Sequence, residues 1–225
     1  MLARLGQHRT RLGQVVTRLH PRRLVAVLGD LKALTPRLWA EAVRQGLLQA
    51  PHVVWLSDGG RGLWRLFEKR FAGHATGILD WYHAAQPLGK GAAAWVEGRT
   101  TRARRWFVWA RHRLRHGRPD GVLADLTDAM DVEGLPATAR DTVRTVSASL
   151  ERHREHIDSA KYKALGLPLG SGMVERACTW LIQQRFKGVG MRWSEDGFNH
   201  LLHLRLAWVN GRIEALFDLA LSPDS

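Results

Sequence analysis

Cysteine is nearly missing: Cys178 is the only one in 225 residues. A disulfide framework within the chain is thereby excluded, and a reducing cytoplasm fits best. No stretch approaches the ~20 consecutive apolar residues that span a bilayer, so no membrane partner is expected. The opening MLARLGQHRT is followed by neither an apolar core nor a small-residue cleavage site, which argues against a secretory leader. Acidic residues are scarce beside basic ones. Against 34 Lys and Arg stand 21 Asp and Glu, a formal net charge of +13.

What is present reads as a folded protein, with 45% apolar and 24% charged residues. The length suffices for one sizeable core, or one domain with a large insertion. A field of this sign attracts polyanions, nucleic acid first among them. An arginine-rich composition without a nucleic-acid partner is the other reading of the charge, so a site must decide.

Hydrophobic patterning predicts an α/β beginning. Leu24–Leu28 reads as a buried strand, with Gln14–Leu19 as its partner, and Thr35-Pro36 as the start of a helix. His52–Leu56 is a second buried strand stopped by Ser57-Asp58-Gly59-Gly60. A helix follows from Gly62 to Arg70, then a shorter strand, Thr76–Leu79, running into Asp80-Trp81-Tyr82-His83. Alternating strands and helices imply parallel pairing. From residue 84 to 164 strand signals vanish, and helices are predicted over Ala92–Trp109, Gly121–Met130 and Ala137–His156. Residues 165–170 form a Gly- and Pro-marked loop. Ser171 then starts a helix running to Lys187, and Ser194 caps the next, which ends at Asn210-Gly211.

Three acidic residues fall at element ends: Asp58, Asp80 and Glu175. Carboxylates at the ends of adjacent strands, joined by one from a helix, can converge on Mg²⁺, which accepts hard oxygen ligands and leaves positions for water and phosphate. Each has a plainer reading: Asp-Gly after a strand makes turns, and a Glu in a helix's first turn complements its dipole. His83 can be an ordinary core or surface histidine.

Together these segments resemble a known family. Ser57-Asp58-Gly59-Gly60 with Trp64 resembles the strand-end motif of the second catalytic Asp in ISKra-type insertion-sequence transposases. Leu79-Asp80-Trp81-Tyr82-His83 is similar to that family's LDxYH segment, and to the D-x-x-H signature of Mutator-like and hAT-like transposases. Gly170–Cys178, GSGMVERAC, resembles GSGxVExxC, which carries the catalytic Glu. Arg185-Phe186-Lys187 and Gly190–Ser194, GMRWS, resemble the elements just after it. The likeness runs from about Leu38 to Trp208 in order and rough spacing.

The resemblance implies a DDE-type enzyme: an α/β, ribonuclease-H-like core (residues 1–83 and 165–225) interrupted by an all-helical insertion (84–164) and ending in helices. It implies Asp58 and Glu175 as catalytic metal ligands, Asp80 and His83 as supporting residues, and Mg²⁺ or Mn²⁺ as cofactor. The reaction implied is cleavage of DNA at element ends followed by strand transfer. The partners implied are double-stranded DNA, as element end and target, and further copies of the chain, at the nucleoid in the cytoplasm.

One element of the pattern is missing. Ahead of Asp58 the only Asp is Asp30, and one helix separates the two where the family fold places two strands and a helix. In that layout Gln14–Leu19 and Leu24–Leu28 become the second and third strands, and the opening strand with its Asp is expected upstream of Met1. The chain alone is therefore expected to be inactive.

A basic, aromatic stretch completes the reading. Arg99, Arg102, Arg104, Arg105, Arg111, Arg113, Arg115 and Arg118 are interleaved with Trp106 and Trp109, behind Trp95. The arginines are assigned to DNA phosphates and the tryptophans to packing, with base stacking as the alternative. Arg185, Lys187, Arg192 and Trp193 are assigned to DNA near Glu175, although GMRWS can equally fix the turn between the last helices. Trp180 and Cys178 are expected to be buried. A non-catalytic DNA-binding remnant and an unrelated helical nucleic-acid-binding protein remain alternatives.

Overall fold

The computed structural model describes residues 1–96, 98 and 100–222, and leaves out the side chains of residues 7 and 15–18. The protein is mixed α/β and mostly helical, and it divides into two compact units. One unit comprises residues 1–51 and 172–225, the other residues 52–171.

The first unit opens with an antiparallel hairpin, β1 (Leu2–Arg9) and β2 (Val15–Arg23). Its turn closes through Thr10 N–H to Gln14 O and Gly13 N–H to Thr10 O, with Gly13 at φ +76° supplying the left-handed residue such a loop needs. The described β1 residues from Ala3 to Arg9 are exposed on both faces, so no alternation marks β1 in the sequence. The expected Gln14–Leu19 strand is present as β2, but its partner is β1.

Leu24–Leu28 is not a strand. The Leu24 N–H donates to Asn210 Oδ1 at 2.8 Å, and Asn210 Nδ2 returns a bond to the Leu24 carbonyl at 2.9 Å. One side-chain amide thus satisfies the backbone where a ladder was expected. Leu24 and Ala26 pack on a helical cluster of Leu181, Phe186 and Leu202. Their apolar character serves this packing, not a sheet.

Helix α1 (Leu31–Arg44) starts earlier than Thr35-Pro36 suggests. The Asp30 carboxylate accepts from the N–H groups of Lys32 and Ala33, and so caps the helix from in front. Pro36 then lies inside it, at the loss of one N–H to the Lys32 carbonyl. The unit's other helices are α8 (Gly172–Cys178), a single π turn (Thr179–Gln183), α9 (Gln184–Phe186), α10 (Glu195–Val209) and α11 (Ile213–Leu221). Ser194 caps α10 as expected, its hydroxyl accepting from Gly197 N–H.

In the second unit, β3 (Val54–Ser57) and β4 (Thr76–Leu79) pair in parallel, joined by α2 (Arg61–Arg70). Apolar side chains from these elements, Trp64, Phe67, Phe71, Ile78 and Leu79, are buried. A helical bundle follows: α3 (Trp81–Trp95), α4 (Thr101–Arg115), α5 (Pro119–Met130) and α6 (Ala137–Arg152). Helix α3 packs on α4 and α6, and α5 on α4 and α6, which closes a four-helix arrangement around Leu88, Ala110, Leu114, Val122, Leu126 and Val143. The single helix expected over Ala92–Trp109 is two. Asp80 starts α3 directly after β4, and Thr100 caps α4 by accepting from Ala103 N–H. A 3₁₀ turn (Arg154–His156) and α7 (Ser159–Ala164) lead to the loop ending at Ser171.

Gly77 in β4 has no room for a side chain. A Cβ there would lie 2.9 Å from the Phe67 ring and 3.0 Å from His156 Nδ1. Phe67 is itself buried and β4 is held by its ladder, so neither yields easily. Gly77→Ala is expected to destabilise by about 2 kcal/mol through overpacking, read as a lower thermal midpoint. An unchanged midpoint would mean that the Phe67 ring shifts freely.

Candidate functional site

The carboxyl edge of the β3–β4 pair gathers the residues singled out by sequence within this unit. Asp58 directly follows β3 and Asp80 directly follows β4, and the Asp80 N–H bonds the Ser57 carbonyl at 2.8 Å. The two aspartates therefore end neighbouring strands.

Their surroundings differ. Asp58 is half-buried, with Oδ1 accepting from Gly60 N–H at 2.9 Å in a turn. Its carbonyl accepts the Trp64 indole N–H at 2.7 Å, which ties the turn to α2. Oδ2 has no hydrogen-bond partner among the described residues.

Asp80 is 1% exposed, and both its oxygens are engaged. Oδ1 accepts from Tyr82 N–H at 2.7 Å and His83 N–H at 3.3 Å, capping α3. Oδ2 accepts the backbone N–H of Ser171 at 2.5 Å, across 91 positions of chain. Burial alone would raise the Asp80 pKa. Hydrogen bonds from Ser171, Tyr82 and His83 outweigh it and hold the carboxyl below its ordinary value. A second strap runs alongside, from Trp81 N–H to the Leu169 carbonyl at 2.9 Å. The Tyr82 ring lies against Gly170, where an added Cβ would come within 3.3 Å. So the LDWYH segment grips the start of GSGMVERAC.

His83 places Nδ1 3.6 Å from Asp80 Oδ1, too far for a normal hydrogen bond. That nitrogen is buried and unpartnered among the described residues.

Sequence reading missed two histidines at this edge. His153 and His156 pack at a tilt against Trp64, with ring centroids 4.8 and 4.4 Å away. His156 Nδ1 lies 3.1 Å from the Gly77 carbonyl. His153 is buried, and an added Cβ on Gly59 would lie 4.0 Å from its Nε2. Burial, helped by the charges of His156 and Arg152, pushes its pKa down. Only the end of a predicted helix pointed to this pair.

In the other unit, Glu175 is exposed in α8, with no hydrogen bond or ion pair among the described residues. Cys178 and Trp180 are exposed, not buried as expected, because the π turn directs apolar packing through Leu181 and Phe186 instead. Arg185, Lys187 and Arg192 are exposed. Trp193 donates its indole N–H to the Phe186 carbonyl at 3.2 Å, which fixes the turn before α10.

Helix α4 carries the basic stretch. Ala103, Ala110 and Leu114 form its buried face. Arg102, Arg104, Arg105 and Arg115 are exposed, Arg111 and Arg113 half-buried, and Arg118 exposed just beyond the helix. None forms an ion pair among the described residues. Arg99 lies outside them. The tryptophans pack: Trp106 donates to Asp125 Oδ2 at 2.8 Å, meets Trp95 edge-on at 5.3 Å, and neighbours Trp109. Arg111 and Arg115 lie over Trp81, and Arg113 over Trp109.

The donor set bears on a divalent cation. Asp58 and Glu175 keep carboxylate oxygens free, as Mg²⁺ or Mn²⁺ requires. Asp80 does not, because backbone N–H groups occupy it, and Asp30 is spent as a helix cap. Among the described residues no group of three or more His, Cys, Asp or Glu is arranged to hold a metal ion. No helix is long and apolar enough to cross a membrane. No family model, curated protein or solved structure matches this chain.

Proposed function

We propose that this chain is a DNA-binding part of a DDE-type insertion-sequence transposase, carrying an incomplete metal site on a ribonuclease-H-like core. One observation carries the reading. Asp80 of LDWYH binds Ser171 of GSGMVERAC, so two motif segments 91 positions apart meet at the strand edge that also carries Asp58, the residue likened to the family's second catalytic Asp. The order of elements along the chain adds support: two strands, a helix, a strand followed by Asp58, a helix and a strand.

The family likeness would make Asp58 and Glu175 ligands of Mg²⁺ or Mn²⁺, which when bound supports phosphoryl displacement at a DNA strand. Trp64 and Gly60 orient the Asp58 turn, and Asp80 positions the loop four residues ahead of Glu175. The α4 arginines, with Arg185, Lys187 and Arg192, neutralise phosphates. On this reading Asp58 and Glu175 are an incomplete set for two ions, and the chain by itself is expected to be inactive.

Fluorescence anisotropy with a labelled duplex tests the binding. Affinity is expected to fall steeply with salt, and the Arg104→Ala, Arg105→Ala double variant to flatten the log–log slope by about 2. Salt-insensitive binding, or none, would overturn the reading. Incubation of plasmid with Mg²⁺ or Mn²⁺ tests the site, with Glu175→Ala as control. No cleavage is expected, and cleavage abolished by Glu175→Ala would show that the site is complete within this chain.

A further inference from the structure

Beyond α8, the π turn and α10 bring two exposed tryptophans together. Trp180, 37% exposed, and Trp208, 58% exposed, lie with ring centroids 5.9 Å apart. Large aromatic rings are costly to leave in water, and a pair at one place marks a binding surface better than scattered single residues do. Packing does not account for them: Leu181, Phe186 and Leu202 fill the adjoining core.

An arginine sits with them. The Arg205 guanidinium lies over the Trp180 ring at 5.4 Å. Its Nε donates to the Leu181 carbonyl at 3.2 Å and its Nη2 to the Trp180 carbonyl at 3.3 Å. A guanidinium has five N–H donors, so three remain without a partner among the described residues. Burial, and after it the charge of Arg185, lower the Arg205 pKa, so a second cation acts on this guanidinium. An anion here would meet both charges and the three free donors.

We propose that Trp180, Trp208, Arg205 and Arg185 form a site for unpaired nucleic acid, in which a base stacks on the tryptophans and its phosphate meets the arginines. Aromatic rings beside basic groups are the composition that single strands require. Every base offers a face, and stacking contributes affinity without choosing a sequence. Duplex DNA keeps its base faces covered, so it gains nothing from these rings. The site stands independently of whether Asp58 and Glu175 hold a metal.

The test is anisotropy titration of the full chain with fluorescein-labelled oligothymidine of about fifteen nucleotides, a length that covers one such site. Trp208→Ala is expected to weaken this binding about tenfold while leaving duplex affinity unchanged. Trp208→Phe, which keeps a stacking face, should bind within about threefold of the native chain, whereas Trp208→Leu should match Trp208→Ala. Thermal midpoints equal to the native value establish that the variants fold. Oligouridine binding with the same dependence on Trp208 supports the site, since a base face is read regardless of the sugar.

Oligothymidine affinity unchanged in Trp208→Ala would overturn the proposal, as would equal losses for single strand and duplex. So would a Trp208→Leu protein that binds as the native one does, or anionic phospholipid vesicles captured through Trp208. Oligothymidine binding without any duplex binding would keep this site and remove the transposase reading.

Discussion

Asp80→Ala is expected to lower the stability of residues 52–171 by about 4 kcal/mol, near the lower end of the sum of three charge-assisted hydrogen bonds at ~1.5–3 kcal/mol each. The carboxylate is enclosed, and its loss strands the N–H groups of Tyr82, His83 and Ser171. Asp80→Asn keeps one acceptor but turns an amide NH₂ toward one of these donors, and should cost about 2 kcal/mol. The dependence on pH has a definite sign. The folded pKa is lowered, so the contribution is present above the unfolded value near 4 and fades as pH falls through the folded one. Thermal melts of native and Asp80→Ala chains should therefore begin to converge only as pH falls below about 4. A difference that persists unchanged into strong acid would mean that the carboxylate charge is not what holds the strap.

The second large effect is expected in the other unit. Glu41 is 3% exposed and receives two 2.9 Å bonds from Arg212, with Arg44 and Gln45 alongside. Burial alone would raise its pKa, and the hydrogen bonds and charges of Arg212, Gln45 and Arg44 bring it below normal. Arg212→Ala leaves a buried carboxylate with weaker company and should cost about 3 kcal/mol. Glu41→Ala frees an arginine that already reaches water, 39% exposed, and should cost less, about 1 kcal/mol. Adding Glu41→Gln to Arg212→Ala should recover part of the loss, because the uncompensated charge is gone. Denaturant melts at neutral pH give the ranking. Equal losses in the two single variants would show that the pair is less buried than its geometry implies.

The two units were legible to different degrees. β3, α2 and β4 were readable because short β-branched runs ended in Ser-Asp-Gly-Gly and Leu-Asp, and their burial matches that pattern. The hairpin was half readable, since exposed faces leave no alternation and only Gly13 marks the turn. Leu24–Leu28 misled because an apolar run records burial and not backbone geometry. The Asn210 amide that replaces the ladder lies 186 positions away. At the site, the ends of β3 and β4 were marked, but nothing local tells a free carboxylate from one enclosed by N–H groups. Asp58 and Asp80 differ through Ser171, Trp64 and the fold between them. The exposed Trp180–Trp208 pair was hidden for a similar reason, because the π turn shifts which residues face the core.

That π turn also governs alignment. An α-helix advances about 100° per residue, and a single π turn accommodates one extra residue without unwinding its neighbours. Between Arg176 and Gln184 the chain therefore carries one position more than a straight helix would need. In an uninterrupted α-helix Leu181 and Phe186, five positions apart, would point about 140° away from each other, whereas the wider turn lets both enter one cluster. Removing one residue from Thr179–Gln183 would straighten the helix and turn Phe186 out of the cluster it shares with Leu181 and Leu202.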